Sequence, residues 1–464
     1  MGVYAAGIDL GTTNLELILA DLERFRIVER YSAPVRRIPG DNPYAFEQDA
    51  AGIAASVREL LGRVKTPLSS VGITGQVHGI VYTDGELRPL SPLYSWLDRR
   101  GAEPRRGTTP QAALEEKTGF HLPVGYGLLT HYANRLFGRV PGAARRLMGI
   151  TEFVAGNLTG APLSKTDDSI LASFGGWDPA GGYRKALLAE ALSPSCPAFL
   201  EAAPHFSVAG RLAGGLCPGG ANDAGGAPVA YPVGDNQAGF FGALPRPEEA
   251  CLISIGTSGQ ISFFSKNAVC PSGMELRPYL GKGYLQVGAT LTAGKSYEAL
   301  ASLAGEIIRA SGNRIEDEAV FTLMKQAAGA AGQTSLVFET TLNGTRRDTA
   351  RRGAITGISL DNLTLGGLVL AAVDGIVREL AGFTKLDGVS LDDVKYAAVT
   401  GSVPRKNGLF LEAVGRQFNR EVRVPGFDGA GLGAAVIGAI AAGLIGAGET
   451  AGVIEQFQAG AELY

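Results

Sequence analysis

Two short strings that share a pattern lie far apart in the chain and restrict the folds open to it. Residues 7–15 read GIDLGTTNL, and residues 252–260 read LISIGTSGQ. In each, two apolar runs flank a polar turn of Gly-Thr-Thr or Gly-Thr-Ser, which predicts a β-hairpin over residues 3–21 and another over residues 249–264. We therefore expect a fold in which the same hairpin occurs twice.

A second pair of strings follows the first pair in the same order. Residues 70–79 read SVGITGQVHG and residues 395–407 read KYAAVTGSVPRKN, each a short apolar run that ends at Thr-Gly. Helical patterns precede both, so strands alternate with helices. A duplicated α/β domain explains both pairs, and the alternative is chance recurrence in a chain that contains 66 glycines.

The length of the chain agrees with a duplication. At about 100–200 residues per domain, a chain of 464 residues is too long for one ordinary core. The stretch ALPRPEEA at 243–250 is rich in proline and charge, which is typical of a linker. The sequence thus predicts an N-terminal domain over 1–243 and a C-terminal domain over 244–464.

The charge balance limits the partners. The chain has 42 Lys and Arg against 45 Asp and Glu, a formal charge of -3, which provides no electrostatic footprint for nucleic acid or an anionic membrane. The apolar tract at 434–448 is shorter than the roughly 20 residues that span a bilayer, so a buried helix is expected there. The predicted partner is a small molecule.

The cysteines and the N-terminus bear on the compartment. The four cysteines are widely spaced, without metal-ligand spacing, and suit a reducing environment: Cys196, Cys217, Cys251 and Cys270. The first residues lack a basic region followed by a long apolar stretch, so no signal peptide is expected. These features predict a cytoplasmic protein.

Two glycine-rich strings resemble nucleotide-binding motifs without matching them. GATLTAGKS at 288–296 has five residues between Gly288 and Gly294 where a P-loop has four. GAGLGA at 429–434 lacks the acidic residue that a dinucleotide-binding fold places about 20 residues further on. The second string is interpreted as a glycine-rich helix start.

The two hairpin turns are better candidates for binding phosphate. A turn of Gly, Thr and Thr or Ser exposes backbone N–H groups and hydroxyls in one small concavity, which suits a phosphate oxygen. Asp9 lies two residues before the first turn on an otherwise apolar strand, where a carboxylate is costly unless it holds a cation or hydrogen bonds. A magnesium ion is the functional interpretation, and an Asp satisfied by turn N–H groups is the alternative.

Asp235 follows an apolar run and precedes a helix-like stretch in YPVGDNQAGFFG. A carboxylate there can accept a proton from a substrate hydroxyl, as a general base does. The alternative is a helix N-cap, for which Asp is also favoured. Local evidence alone favours the cap.

The segment YSWLDRRG at 94–101 combines an aromatic ring with an acid and arginines. Asp98 and Arg100 are therefore candidates for a polyol clamp, and a solvated ion-pair loop is the alternative. His78 has no metal partner nearby in sequence and is interpreted as a hydrogen-bonding group. The triplet EQD at 47–49 is expected only to form the polar start of a helix.

Taken together, these motifs resemble a known family, the FGGY carbohydrate kinases. The matching strings are GIDLGTTN (7–14), EQD (47–49), TGQVHG (74–79), the W-x-D-x-R pattern of Trp96, Asp98 and Arg100, VGDNQAG (233–239), SIGTSGQ (254–260) and TGSVPRKN (400–407). The family is built on a duplicated actin-like domain. The resemblance thus implies two α/β domains of the ribonuclease H-like, ASKHA type, with an ATP cleft between them.

The resemblance also implies roles for individual residues. Asp235 would be the general base for the sugar hydroxyl, which reverses the local preference for a cap. Asp9 and Asp235 would hold Mg²⁺. The sugar site would include Val77, His78, Trp96, Asp98, Arg100 and Asp235. The nucleotide site would include Gly11, Thr12, Thr13, Gly256, Thr257, Gly294, Gly401, Ser402 and Asn407. ATP and Mg²⁺ are the implied cofactors, and a monomer or homodimer is expected.

The string TGQVHG is typical of the branch of the family that phosphorylates xylulose or sedoheptulose. The stretch KTGFHLPVGYGLL at 117–129 and Gln260 are similar to the sedoheptulose branch. The favoured reaction is conversion of sedoheptulose to sedoheptulose 7-phosphate. Conversion of xylulose to xylulose 5-phosphate is the alternative, and an actin- or Hsp70-like ATPase without a sugar substrate is the alternative from a different class.

Overall fold

The computed structural model of the chain describes residues 2–178, 182–192, 199–213, 226–345, 348, 350–427 and 429–459. Cys196 and Cys217 lie outside the described residues. Contacts divide the chain into two compact units. Unit 1 consists of Met1–Pro245, Arg277–Gly283 and Gly426–Tyr464, and unit 2 of Arg246–Leu276 and Tyr284–Pro425.

The strands of the first part of the chain are β1 Tyr4–Leu10, β2 Asn14–Asp21, β3 Arg26–Pro34, β4 Arg37–Ile38, β5 Glu47–Gln48, β6 Ser70–Gly75, β7 Val81–Thr83, β8 Leu93–Tyr94, β9 Arg146–Met148, β10 Lys165–Thr166, β11 Trp177–Asp178, β12 Gly182–Tyr183, β13 Glu201–Ala202, β14 Val208–Arg211, β15 Pro228–Ala230 and β16 Val233–Gly234. Its helices are α1 Ala50–Arg63, α2 Pro110–Thr118, α3 Gly127–Leu136, α4 Ile150–Thr159, α5 Asp168–Ser173, α6 Lys185–Leu192 and α7 Asp235–Ala243, with a 3-10 turn at Arg100–Ala102.

The strands that follow are β17 Ala250–Ile255, β18 Gly259–Ser265, β19 Glu275–Tyr279, β20 Gly283–Thr290, β21 Val337–Glu339, β22 Ala354–Thr356, β23 Tyr396–Thr400 and β24 Glu421–Arg423. The remaining helices are α8 Gly294–Ala310, α9 Asp317–Ala331, α10 Leu365–Gly382, α11 Ser402–Lys406, α12 Leu409–Phe418, α13 Gly429–Ala441 and α14 Thr450–Ala459, with 3-10 turns at Pro247–Glu249 and Phe383–Lys385.

The main sheet of unit 1 has the strand order β14-β15-β6-β1-β2-β3, with β16 also paired to β6. Strands β1 and β2 form the predicted antiparallel hairpin, and β6 runs parallel to β1 with Asp9 opposite Thr74. Apolar side chains of this sheet and its helices, such as Ile8, Leu17 and Ile73, are buried in one core. The hairpin and the strand that ends at Thr-Gly are therefore neighbours, as a duplicated α/β domain requires.

The main sheet of unit 2 repeats this arrangement in the order β19-β20-β18-β17-β23-β24. Strands β17 and β18 form the second antiparallel hairpin, and β23 runs parallel to β17 with Ser254 opposite Thr400. A separate core contains Ile253, Ile261 and Val399. Both predicted hairpins and both predicted helix-to-strand connections are confirmed.

Local signals explain where two of the long helices begin. Asp49 precedes α1 and its Oδ1 accepts the backbone N–H of Gly52 at 2.9 Å, while the Thr364 hydroxyl accepts the N–H of Gly367 at 3.0 Å at the start of α10. Side-chain oxygens at these positions satisfy N–H groups that have no partner within the helix. The predicted polar helix start at 47–49 is thus correct for Asp49.

Helix α13 belongs to unit 1, although it lies near the end of the chain. It packs against β1, β6 and α7. A methyl group added at Gly72 of β6 would overlap the Ala434 carbonyl oxygen, and one at Gly433 would overlap the Ala238 carbonyl oxygen. Small residues on these elements therefore allow the backbones to approach closely.

The division of the chain by contacts differs from the division along the sequence. The sequence-based boundary places everything after residue 243 in the second domain, whereas contacts group residues 277–283 and 426–464 with unit 1. The reason is that α13 has small or apolar residues on every face, so the helix itself does not specify which surface it packs against. The glycine-rich string at 429–434 forms the first turns of this buried helix, as predicted. Among the described residues, none of the helices combines the length and apolarity that crossing a membrane requires.

Candidate active site

Three neighbouring parallel strands of unit 1 end at the same edge of the sheet. Strand β6 lies between β1 and β16, with Thr74 in register with Asp9 on one side and with Val233 on the other. The residues that follow these strand ends include Gly11, Gln76 and Asp235. Ligands of open α/β sheets bind at the carboxyl ends of the strands, so this edge is the candidate active site of unit 1.

Asp235 is the first residue of α7, and the residue in the N-cap position is Gly234. The Asp235 carboxylate accepts the N–H of Asn236 at 2.7 Å. The interpretation of Asp235 as the N-cap is therefore wrong, because the chain enters the helix one residue earlier. The carboxylate still lies at the positive end of the helix dipole, which stabilises its ionised form.

The surroundings of Asp235 act on its proton affinity in opposite directions. Burial raises the pKa of the Asp235 carboxyl above its ordinary value, while the positive charge of Arg277 and the N–H of Asn236 lower it. The residue is only partly shielded from solvent, but its carboxyl is densely surrounded by protein atoms. A carboxylate with a raised pKa is a better proton acceptor than a solvated one.

Arg277 was not anticipated from the sequence. It lies in the segment 277–283, which packs with unit 1 although its sequence neighbours belong to unit 2. The Gln237 Nε2 donates to the Pro278 carbonyl at 2.9 Å, and the rings of Phe240 and Tyr279 meet edge to face at 5.5 Å. The segment is thus fixed to α7, the helix that begins with the proposed base.

His78 has an unusual backbone and a well-defined ring position. Its φ is 71°, a left-handed conformation that costs energy for a residue with a side chain. Its N–H donates to the Ser173 hydroxyl at 3.1 Å, and its ring stacks on Tyr126 at 4.3 Å between centroids. Val77, also partly buried, precedes it. The two predicted sugar residues therefore lie directly after β6 in a rigid turn.

The first hairpin turn is held by side chains from other elements. The Trp96 Nε1 donates to the Thr12 Oγ1 at 2.9 Å, and the Gln48 Nε2 donates to the Thr12 carbonyl at 2.7 Å. Gln76 donates in turn to the Gln48 Oε1 at 3.0 Å. Thr13 is an exposed residue, and its carbonyl accepts a hydrogen bond from the backbone N–H of Val35 at 2.8 Å. Thr12 is therefore the point at which several separate segments meet.

The pairing of β5 with β8 explains how distant parts of the sequence reach this turn. Gln48 lies opposite Leu93 in that pair, which brings the EQD triplet beside the segment that carries Trp96. Sequence reasoning assigned EQD only to the start of a helix. The triplet itself was the only signal in the sequence, because the burial and the partners of Gln48 depend on tertiary structure.

Asp98 and Arg100 form an ion pair inside the protein. The Arg100 Nε donates to the Asp98 Oδ1 at 2.6 Å, and its Nη groups donate to Asn134 at 2.6 Å and Glu47 at 2.8 Å. The guanidinium also lies over the Tyr94 ring at 3.8 Å. Asp98 is 0% exposed, so the alternative of a solvated ion-pair loop is wrong: the pair exists, but it is buried. Their assignment to the sugar site stays a prediction from the resemblance.

The second hairpin turn is held by the main chain. The Gly256 carbonyl accepts the N–H of Gly294 at 2.9 Å, and the Thr257 carbonyl accepts those of Ala293 at 3.1 Å and Lys295 at 3.3 Å. These donors belong to the start of α8. The structure therefore brings three of the predicted nucleotide residues, Gly256, Thr257 and Gly294, together in unit 2.

Two further predicted nucleotide residues, Gly401 and Ser402, lie beside this turn, and the amide of a third, Asn407, is already hydrogen-bonded. Gly401 has a φ of 102°, and a methyl group there would overlap the Ile255 carbonyl oxygen. Ser402 begins α11 directly after it. Asn407 donates to the Tyr297 hydroxyl at 3.1 Å and accepts the Leu409 N–H at 3.2 Å, so its amide is engaged within unit 2.

A cluster of possible metal ligands contains neither Asp9 nor Asp235. Ligand atoms of Asp167, Asp168 and His205 all lie within 4.8 Å of one another. Burial and the charge of Asp167 raise the pKa of Asp168 to about 7. The cluster adjoins the strand β16 through Ser169, whose hydroxyl accepts the Gly234 N–H at 3.0 Å.

Comparison with known proteins agrees with this geometry. Residues 4–242 match the N-terminal domain of the FGGY family of carbohydrate kinases, and residues 251–442 match the C-terminal domain. Sedoheptulokinase from Homo sapiens is 25% identical over 475 residues, covering 93% of this chain and 96% of the relative. Xylulose kinase from Streptomyces coelicolor is 27% identical over 484 residues, covering 99% and 92%. The crystal structure of xylulose kinase from Rhodospirillum rubrum has a TM-score of 0.79 at 22% identity, covering 97% and 92%.

Two units built around the same hairpin and parallel strand give the two-domain fold of the ASKHA type, and the predicted fold class is confirmed. Both domains of one family match in order and together span most of the chain. The chain belongs to the FGGY family of carbohydrate kinases.

Proposed function

We propose that this carbohydrate kinase transfers the terminal phosphate of ATP to a ketose, with sedoheptulose preferred and sedoheptulose 7-phosphate as product. The observation that carries the proposal is the convergence of Asp9, the turn at Gln76–His78 and Asp235 at the carboxyl ends of three adjacent strands. Phosphoryl transfer depends mainly on positioning and charge neutralisation. This edge offers a base, hydrogen-bonding side chains and a phosphate-binding turn.

Asp235 is proposed as the general base for the sugar hydroxyl that attacks the phosphate. Its raised pKa supports this role, because the carboxylate then holds the transferred proton more firmly. The positive charge of Arg277 lowers the pKa of Asp235 and so opposes part of the rise that burial causes. It thereby favours the ionised carboxylate that the reaction requires.

Asp9 and Asp235 are proposed to hold Mg²⁺. Carboxylate oxygens are the ligands that this ion prefers, and both residues come from the same edge of the sheet. Bound Mg²⁺ would neutralise charge on the phosphates. In unit 1, Gly11, Thr12 and Thr13 would contact phosphate; in unit 2, the Gly256–Thr257 turn, Gly294, Gly401 and Ser402 would bind the nucleotide, with Asn407 supporting them.

The preference for a heptulose rests on the segment around residue 125. Its Tyr126 stacks on His78, and a methyl group at Gly125 would overlap the Trp96 carbonyl oxygen. This segment thus borders two of the predicted sugar residues, and it is the stretch that resembles the sedoheptulose branch. The similarity to human sedoheptulokinase supports the same preference.

Phosphorylation of xylulose is the second candidate. The similarity to xylulose kinase from Streptomyces coelicolor covers 99% of this chain and favours it. An ATPase without a sugar substrate is not favoured, because both domains match a carbohydrate kinase family.

A coupled assay of ADP release tests the proposal. The wild-type protein would be assayed with sedoheptulose, xylulose, ribulose, fructose and glycerol in the presence of Mg²⁺. We expect the highest kcat/KM for sedoheptulose. Asp235→Asn should lower kcat by about 10²–10⁴-fold, the usual contribution of a positioned base.

Asp178→Asn serves as the matched control, because Asp178 lies on β11, outside the main sheet of unit 1. Near-normal turnover by Asp235→Asn would show that Asp235 is not the base. Turnover with xylulose alone would establish the second candidate. ADP release that no sugar stimulates would overturn the kinase assignment of this site.

A further inference from the structure

Thr12 is fixed on two sides by side chains from different elements. Its carbonyl accepts a hydrogen bond from Gln48, which is 1% exposed, and its hydroxyl accepts one from the indole of Trp96. The orientation of the Gln48 amide is unambiguous, because a carbonyl can only accept and its partner must be the NH₂ group. The first turn is therefore held rigidly before any ligand arrives.

The direction of the second hydrogen bond has a chemical consequence. An indole N–H is a donor only, so the Thr12 Oγ1 must act as the acceptor towards Trp96. The hydroxyl proton then points away from the indole. Within the part of the chain that the structure describes, the Thr12 hydroxyl donates to no protein group. Its proton is thus available to an acceptor such as a phosphate oxygen.

Trp96 is itself well placed to respond to a sugar. The residue is 42% exposed, although its indole nitrogen is engaged with Thr12. Gly125, with a φ of 95°, lies against the Trp96 carbonyl, where a methyl group would overlap it. The main chain of Trp96 is therefore restrained while part of its ring is open, and exposed apolar ring faces suit the C–H faces of a sugar.

We propose that Trp96 is a positioning residue that directs the hydroxyl proton of Thr12 towards a phosphate oxygen, and that it thereby couples the sugar site to the phosphate site. This inference rests on the proposed function. A sugar that contacts the exposed part of the indole would restrict the ring and so restrict the Thr12 hydroxyl. Sugar binding and phosphate orientation would then be linked through one hydrogen bond.

A double-mutant cycle tests the link. Trp96→Phe keeps an aromatic ring but removes the N–H, and Thr12→Val keeps the shape but removes the hydroxyl. We expect Trp96→Phe to lower kcat by about tenfold, with a change of less than about twofold in the KM for the sugar, because the lost interaction acts in the transition state. The double variant should be no slower than Thr12→Val alone, since both changes remove one interaction. Thr12→Ser, which retains the hydroxyl, should restore most of the activity.

The kinetic outcomes separate the alternatives. Additive effects in the double variant would overturn the coupling. A raised sugar KM with unchanged kcat in Trp96→Phe would mean that Trp96 only contacts the sugar. Absence of sugar turnover in the wild-type protein would instead overturn the proposed function, so the two failures are distinguishable.

Fluorescence provides a readout that does not depend on turnover. The chain has two tryptophans, so Trp177→Phe leaves Trp96 as the single reporter. A non-hydrolysable ATP analogue should shift the emission of Trp96, and adding sedoheptulose should enlarge the shift. The same titration with Thr12→Val in the Trp177→Phe background should show no nucleotide-dependent shift. A shift that persists without the Thr12 hydroxyl would overturn the proposal.

Discussion

The two hairpin turns have similar sequences but are supported in different ways. The first is held by the side chains of Gln48 and Trp96, which bond to Thr12, in addition to one main-chain bond from Val35 to Thr13. The second is held by backbone N–H groups at the start of α8, which bond to Gly256 and Thr257. Support by side chains depends on residue identity, whereas support by the main chain depends only on backbone geometry. We therefore expect the two turns to be sensitive to different substitutions.

The same difference is visible along the paired strands. Asp9 opposite Thr74 in unit 1 corresponds to Ser254 opposite Thr400 in unit 2. Two residues earlier, Gly7 lies opposite Gly72 in unit 1, while Leu252 lies opposite Ala398 in unit 2. Unit 1 therefore has a carboxylate near the strand end and glycines where α13 packs, and unit 2 has neither at these positions.

The largest expected effect concerns the carboxylate. Asp9→Asn should lower kcat by about 10²–10³-fold, the usual cost of losing one electrostatic contact at a charged transition state. Ser254→Ala, at the corresponding position, should change kcat by less than about threefold. Steady-state assays over a range of Mg²⁺ concentrations would measure both, and equal losses would contradict the assigned difference between the turns.

The next effect concerns the close approach of α13. Gly72→Ala should lower the free energy of unfolding by about 3 kcal/mol, because the added methyl group overlaps the Ala434 carbonyl. Ala398→Gly, the reverse change at the corresponding register of unit 2, should cost only about 1 kcal/mol through added backbone freedom. Urea denaturation of the two variants gives both values. A smaller cost for Gly72→Ala than for Ala398→Gly would show that the packing is not specific to unit 1.

A third effect concerns the loss of stability in acid. We expect histidines to contribute to it only in unit 1, since all four histidines of the chain lie there. Burial lowers the pKa of His131 from 6.5 to about 4. His131 therefore binds a proton more readily in the unfolded chain than in the folded one. The folded state is most stable above about pH 6.5, where His131 is neutral in both states, and it loses stability as the pH falls towards 4. The full loss is about 3 kcal/mol.

Urea denaturation at a series of pH values checks this effect. His131→Asn should give a shallower decline of stability between pH 6.5 and 4 than the wild-type protein. His121→Asn provides the matched control, since that imidazole is largely exposed. An unchanged slope in His131→Asn would assign the acid sensitivity to other groups.

The smallest effect concerns the amide that supports the first turn. Gln48→Ala should lower the free energy of unfolding by about 1–2 kcal/mol, because it leaves the partly buried Thr12 carbonyl without this donor. Gln260→Ala on the second hairpin, a partly buried residue, should change stability by less than about 0.5 kcal/mol. Thermal or urea unfolding would measure the pair, and equal costs would remove the distinction between side-chain and main-chain support.

Features set by short-range pattern were predictable. The hairpins, the Thr-Gly strand ends and the helix start at Asp49 follow from alternation and from local hydrogen bonding, which involve residues close in sequence. The role of Asp235 as the base stays a proposal, and the alternative of an N-cap at Asp235 was wrong by one residue. A helix boundary depends on small differences in backbone geometry, and sequence patterns do not resolve them.

Features that depend on distant partners were not predictable. The local pattern around Asp98 suited a solvated loop as well as a sugar clamp, and only the surrounding fold buries its ion pair with Arg100. The role of Gln48 depends on the pairing of β5 with β8. Arg277 lies in β19, within a short segment of unit 1 whose neighbours in sequence on both sides belong to unit 2, and its charge acts on Asp235.

The sequence by itself determined the duplicated hairpins, the class of fold and the set of residues from which an active site can be built. Alternation and turn chemistry act over a few residues and are written directly in the chain. Tertiary structure alone decided that α13 closes against β1, β6 and α7, and that Thr12 receives hydrogen bonds from both Gln48 and Trp96. An apolar helix fits many surfaces and an amide fits many partners, so these choices are made only when the strands and helices pack.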